Sequence, residues 1–279
     1  MQTLMRTLAP VAAMVLLAGC ASVGSVSAEL PTVTVRELRP VSFSPSAASF
    51  QARILVENRR PEPLALQELD YTVDLAGRPL YSATVTGLLP TRQGGTQTLL
   101  LPFQVSMDEI RSRGGDAPGA SIQIRYHGRA YVADAPEQGP LLFEASLSVP
   151  LPAMPTALLL AATGAPPAEP FEVVLGIPNT NSFPFTIDSV DATVVVADAR
   201  FPLRRIDKPT EVPAGGVGTM TLRLDPPQQD ATDLAPGTVG PDAGQAQVTV
   251  EATVTLASPY GWIYVPVRIT DVGSAGAQR

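Results

Sequence analysis

Residues 50–103 and residues 171–224 can be laid on one another at a constant offset of 121 positions, without a gap. Asn58 then falls on Asn179, Pro63 on Pro184, Asp70 on Asp191, Val73 on Val194, Gly94-Gly95 on Gly215-Gly216 and Leu101 on Leu222. A period this long is a whole domain and not a solenoid turn. The chain is therefore expected to fold as two like modules in tandem, each large enough to bury its own core. What recurs is apolar alternation together with Asn, Pro and Gly; no catalytic residue type recurs with them. The repeat constrains architecture more than chemistry.

Inside each copy the alternation has period two. Phe50, Ala52, Ile54 and Val56 share one face, with Gln51, Arg53 and Glu57 on the other. Leu69, Tyr71, Val73 and Leu75 alternate with Asp70, Thr72 and Asp74, and Ile122, Ile124 and Tyr126 with Gln123 and Arg125. The second copy repeats this at Val190, Ala192, Val194 and Val196, and again from Val248 to Leu256. This is the pattern of half-buried antiparallel strands. Turn signals stand at Ala76-Gly77-Arg78-Pro79, Gln93-Gly94-Gly95 and Pro213-Ala214-Gly215-Gly216. Strands are expected near 31–36, 50–57, 66–75, 80–87, 97–105, 121–131 and 141–149 in the first copy. Seven short strands in about 120 residues predict an all-β fold of two tandem immunoglobulin/fibronectin-like antiparallel β-sandwiches, with a closed barrel as the lesser alternative. One short helix is expected where Ser106-Met107-Asp108-Glu109 has capping-box spacing, and Gln228 to Leu234 could hold a similar turn in the second copy.

The N-terminus reads as an export signal. Arg6 supplies the positive start, Leu8 to Leu17 an apolar run, and Leu17-Ala18-Gly19-Cys20 follows. That tetrapeptide looks like a bacterial lipobox with cleavage between Gly19 and Cys20. The thiol of Cys20, the one cysteine of the chain, is then the nucleophile that takes the lipid. The apolar run is too short to span a bilayer core of about 30 Å comfortably. Ala21 after the cysteine favours the outer membrane, facing the periplasm. The expected division is 1–19 signal peptide, 20–29 acylated tether, 30–152 first sandwich, 153–272 second sandwich and 273–279 flexible tail. Pro150, Pro152 and Pro155 stiffen the junction.

Each copy then follows a strand with an Asn-centred turn and a Pro-apolar-x-apolar return. In the first this is Val56-Glu57-Asn58-Arg59-Arg60-Pro61-Glu62-Pro63-Leu64-Ala65-Leu66; in the second, Ile177-Pro178-Asn179-Thr180-Asn181-Ser182-Phe183-Pro184-Phe185-Thr186-Ile187. Asn tolerates the left-handed region and bonds nearby backbone, and Pro fixes the chain as it enters the next strand. The motif resembles the Asn-Pro-Asn turn of the late embryogenesis abundant type 2 family, also described as the water stress and hypersensitive response domain. The resemblance covers about residues 31–270. It departs at the central proline, here Arg59 and Thr180, and at the second asparagine, kept as Asn181 but replaced by Arg60. It implies a sandwich and a place in desiccation and stress responses, and no catalytic residue.

Candidate chemical sites are few. His127 is the sole histidine, so a zinc cluster or a Ser-His-Asp triad lacks raw material, and a solvent-facing strand position is expected. Asp70 and Asp74 are read as outward and solvated, Asp230 and Asp233 as polar loop. No calcium-ligand spacing marks the loop from Asp225 to Asp242. Period two would place Tyr260, Trp262 and Tyr264 on one strand face. Packing in the core or against the sheet is the favoured expectation for them, and an exposed stripe gripping a glycan, lipid or extended partner is the sharper one. Arg59-Arg60 and Arg204-Arg205 are expected to be solvated. With 19 basic against 26 acidic residues the chain lacks the basic face that nucleic acid needs. No cofactor, metal or small-molecule substrate is expected. The expected partners are a membrane, through Cys20, and an envelope protein. The function expected is that of a non-enzymatic, membrane-anchored envelope lipoprotein in stress response, or else an accessory interaction module.

Overall fold

The computed structural model describes residues 31–60, 62–88, 91–113, 120–133, 139–164, 170–196, 198–225 and 248–270. Cys20 and its signal, Gln228 to Leu234, Asp230, Asp233 and the tail 273–279 lie outside them.

The first module holds β1 (Thr32–Phe43), β2 (Ala47–Glu57), β3 (Leu66–Leu75), β4 (Arg78–Thr86), β5 (Thr96–Ser106), α1 (Met107–Ser112), β6 (Ser121–Val132) and β7 (Leu141–Pro150). Strands β5-β2-β1 form one layer and β4-β3-β6-β7 the other. The predicted strands are all present, and β1 runs on to Phe43 where the alternation had suggested an end at 36. Its register against β2 shifts at Val35/Glu37 and again at Pro40/Ser42. Those two irregularities break the period-two signal that sequence reading depends on. Facing residues of the two layers meet as aromatic rings. Phe103 of β5 stacks on Phe50 of β2 at 5.2 Å and lies 6.0 Å from Tyr126 of β6, which stacks on Tyr71 at 5.0 Å. Gly128 makes room for this stack, because a Cβ there would meet the Phe143 ring at 2.4 Å and the Asp70 carbonyl at 2.1 Å.

The second module holds β8 (Leu158–Thr163), β9 (Phe171–Pro178), β10 (Phe185–Val196), β11 (Ala199–Arg205), β12 (Thr210–Val212), β13 (Val217–Leu224), β14 (Val248–Ser258) and β15 (Gly261–Thr270). Its layers are β8-β9-β13 and β11-β10-β14-β15, the same order one module on. The extra strand β12 pairs with Phe185–Ile187. At the offset of 121 this is the lone Leu64–Thr91 bridge of the first module, extended. A short pairing of β11 with β13 joins the two layers along one edge.

Helix α1 starts as expected: the Ser106 hydroxyl accepts from the Glu109 N–H at 3.1 Å. The reciprocal arm of the capping box is replaced, since the Glu109 carboxylate takes the Arg113 guanidinium. Arg113 also donates to the Arg78 carbonyl at 2.8 Å, tying the helix to the hairpin of β3 and β4.

The modules join strand to strand. β1 and β15 run parallel and pair only at Ser42–Trp262 and Phe43–Ile263. The end of one strand is thus prolonged by the start of the other, and the two span about 60 Å from Thr32 to Thr270. The pairing fuses the three-stranded layer of the first module with the four-stranded layer of the second. Gly261, with φ +106°, lies so close to β1 that a Cβ would sit 2.4 Å from the Val41 carbonyl oxygen. The junction segment is held too: Asn181 accepts from the Ala153 N–H at 2.7 Å and donates to its carbonyl at 3.2 Å.

Candidate functional site

Asn58 and Asn179, read from the sequence as turn residues, build the same device twice. Each is buried. The Asn58 side-chain N–H₂ faces the carbonyls of Glu62, Thr91 and Arg92 at 2.7, 3.2 and 3.2 Å, and its Oδ1 accepts from the Arg60 N–H at 3.0 Å. Asn179 faces Phe183, Val212 and Pro213 at 2.9, 3.1 and 3.1 Å, and accepts from the Asn181 N–H at 3.1 Å. Every partner is displaced by 121. Neither asparagine is in the left-handed region, where the non-glycine residues among those described are Ala76 and Asp198. The asparagine acts through its side chain, tying one turn to a second turn that is remote in sequence. Pro63 and Pro184 stand exposed beside them, one residue before the buried Leu64 and Phe185.

The outer face of β4-β3-β6-β7 carries a shallow groove of about 870 Å³, lined among others by Asp70, Thr72, Ser82, Arg125, His127 and Glu144. Register brings these together: Thr72 pairs with His127, His127 with Glu144, and Asp74 with Arg125. Arg125 grips Glu144 with two bonds of 2.8 Å. That guanidinium holds the Glu144 carboxyl below the usual carboxylate range, and the carboxylate in turn raises Arg125. His127 faces outward as expected, and its Nε2 donates to Asp74 Oδ2 at 3.1 Å. Asp74 corrects the expectation of a solvated pair. It is buried beneath His127 and Arg125, and its Oδ1 has no hydrogen-bond partner among the described residues. Asp70 stays at the surface and accepts from the Thr84 hydroxyl at 2.5 Å. The same face of the second module carries Asp191, Thr193, Arg200, Glu251 and Arg268, with Glu251 in the place of His127 and Arg268 in that of Glu144. Sequence gave no warning of the Asp74–His127 contact, since 53 positions separate the two.

The expectation for Tyr260, Trp262 and Tyr264 divides. Tyr260 lies in the turn before β15 and packs edge-on against Phe183 at 5.0 Å. Trp262 and Tyr264 point outward from β15, 40% and 38% exposed, which overturns core packing for those two. Among the basic pairs, Arg59 is exposed and bonds Glu57 at 3.0 Å. With Arg36 it holds the Glu57 carboxyl below its ordinary value. Arg205 is not free in solvent. Its guanidinium donates to the carbonyls of Ile187, Asp188 and Lys208. Tyr126 and Tyr81 are pushed above the ordinary phenol range by burial.

Among the described residues no group of three His, Cys, Asp or Glu side chains is placed to hold a metal ion. Among them, too, no helix is long and apolar enough to cross a membrane. The arrangement defines an all-β protein of two fused sandwiches. No protein-family description matches the chain, and no curated protein does. Among solved structures it is similar to a bacterial adhesin from Mobiluncus mulieris, at 7% identity over 86% of this chain and 99% of that one, TM-score 0.32. It is similar to a protein of unknown function from Porphyromonas gingivalis at 15% identity over 86% and 99%, TM-score 0.23. It is also similar to red sea bream transglutaminase at 14% identity over 84% of this chain, TM-score 0.28, and spans 30% of that protein's length. None of these likenesses carries an argument about function.

Proposed function

We propose that the chain is a non-enzymatic envelope lipoprotein of the late embryogenesis abundant type 2 kind, anchored through Cys20 and acting in the response to desiccation and related stress. The observation that carries this reading is the duplicated asparagine device. The motif behind the resemblance is a buried structural tie in both copies, with every partner repeated. On the outer faces, Glu251 stands where the first module has His127, so among the described residues the histidine groove is not repeated. In this reading the tether keeps the folded region near the membrane surface, and the outer membrane is its location. The test is survival of a deletion strain after drying and osmotic shock, with complementation by the native gene and by Cys20→Ala. Lower survival rescued by the native chain alone is expected. Equal survival of deletion and parent overturns the stress role, and full rescue by Cys20→Ala overturns the anchor.

A second reading, an accessory docking module, is favoured by β5 and β8, which stand at sheet edges among the described residues and expose Leu100, Leu158 and Leu160. An extended segment of an envelope protein could add to such an edge. It predicts a stoichiometric partner in a crosslinking pull-down from intact envelopes, and the stress reading predicts none.

A further inference from the structure

We propose that Trp262 and Tyr264 form a platform on which an extended neutral glycan stacks, a role that goes beyond the stress reading and does not depend on the anchor. The two rings leave one face of β15 at positions i and i+2, about 7 Å apart. That face belongs to the sheet that crosses the junction, so it is wider than either module alone. At the level of Trp262 the row reads Gln104, Ser49, Ser42, Trp262, Ala257, Thr186, and at the level of Tyr264 it continues through Thr255 and Ser189. Paired residues in register point to one side of a sheet, so these side chains surround the rings. None of them is charged. Charge returns beyond them, at Glu211, which continues the Trp262 row past Thr186, at the Asp188 bulge, and in the next rows at Arg39 and Asp191.

Two aromatic faces set in a flat field of hydroxyl and amide groups match one ligand chemistry. Glucose and N-acetylglucosamine units joined β-1,4 carry all their ring substituents equatorial, so each ring offers a C–H face for stacking and a rim of hydroxyls for hydrogen bonds. Their extended chain follows a flat surface, whereas α-linked chains coil away from it. The uncharged surroundings give no counter-charge to a phosphate, a sulfate or an acidic peptide. The platform sits midway along the span from Thr32 to Thr270 and not at a pole, so a membrane surface meets it only if the molecule lies flat.

The test uses the Cys20→Ala chain, which keeps every described residue, with cellohexaose and chitohexaose as soluble probes. Insoluble cellulose, chitin and purified peptidoglycan serve as pull-down matrices. Trp262 is the sole tryptophan, so its emission reports the platform directly. A saturable blue shift with a hexaose and co-sedimentation with at least one matrix are expected. Trp262→Ala and Tyr264→Ala should each weaken co-sedimentation by up to about tenfold, the scale of one aromatic contact. Trp262→Phe should retain part of it. No binding to any of these glycans, binding unchanged in Trp262→Ala, or binding only to lipid vesicles would each overturn the proposal. Because no step depends on acylation or on a stress phenotype, failure here leaves the stress reading standing, and the reverse holds too.

Discussion

Replacing Asn179 tests whether the duplicated turn is a tie or a decoration. Its amide has two hydrogens facing three buried or half-buried carbonyls, so one hydrogen is shared, and its oxygen takes the Asn181 N–H. Asn179→Ala strands the Asn181 N–H and the Phe183 carbonyl and takes one bond each from the Val212 and Pro213 carbonyls, the latter keeping the Gly216 N–H. A net bond contributes about 1 kcal/mol, and a buried group left dry costs about 1–3 kcal/mol, so the loss should reach roughly 3–5 kcal/mol. Asn179→Asp should cost at least as much at neutral pH, because a carboxylate oxygen would then face the three carbonyl oxygens. At Asn58 most of the bonds are only half-buried, and water can replace part of them. Asn58→Ala should therefore cost roughly 2–3 kcal/mol on the same scale. The assay is urea denaturation of the Cys20→Ala chain with two probes. Emission of Trp262, on β15, follows the second module. Near-ultraviolet dichroism of Tyr71, Tyr81 and Tyr126 follows the first. Asn179→Ala should shift the tryptophan transition more than Asn58→Ala shifts the tyrosine one. An Asn179→Asp variant within 1 kcal/mol of the parent, a threshold set by one net bond, would refute the reasoning.

Three further outcomes follow from the geometry. Gly261→Ala places a Cβ against the Val41 carbonyl at a φ that non-glycine residues avoid, so it should loosen the junction and lengthen the smeared distance distribution in solution scattering; an unchanged curve counts against a fixed junction. Gly128→Ala drives a methyl into the Phe143 ring and the Asp70 backbone and should cost at least the roughly 1–3 kcal/mol of an overpacked core, read as a shift in the tyrosine transition. For Tyr126 the folded phenol titrates above the unfolded one, so its contribution is complete below the unfolded value near pH 10 and is lost as pH rises beyond it, at about 1.4 kcal/mol per pH unit. Tyr126→Phe removes that part of the slope and leaves neutral-pH stability equal or higher, because the hydroxyl has no partner among the described residues; denaturation at pH 8 to 11.5 checks both signs.

The strand alternation, the turns at Gly94 and Gly215 and the cap at Ser106 were legible because each is a local signal. β1 beyond residue 36 was not, because two bulges reset its phase. Trp262 and Tyr264 show a different limit. Period two places them on one face but does not say which one, and the intervening Ile263 and Val265 were apolar enough to fill the core themselves. Asp74 and Asn181 were illegible for a third reason: each is fixed by a partner remote in sequence, His127 for one and Ala153 for the other. Arg205 belongs with them, since its three carbonyl acceptors are set by how β11 meets the start of β10 and the Lys208 turn.

The junction turns a simple duplication into an asymmetric molecule. Had the two modules joined like sheet to like sheet, their corresponding outer faces would lie side by side, and repetition would favour binding one ligand twice. Instead β1 and β15 fuse the three-stranded layer of one with the four-stranded layer of the other. The groove with Arg125, His127 and Glu144 then lies on the layer left out of that sheet. The uncharged field around Trp262 lies on the layer that takes part in it. The residues follow the same division. Within the repeat the inward apolar positions and the asparagine ties are kept, whereas on the outer faces Asp70 and Thr72 persist as Asp191 and Thr193 but His127 becomes Glu251 and Glu144 becomes Arg268. Two copies held for avidity would need their outward chemistry to match, and here the residues that carry the first groove's ion pair, Arg125 and Glu144, and its histidine do not recur. The second copy is better understood as the other half of a composite surface, with its distinct part at the strand that touches its neighbour.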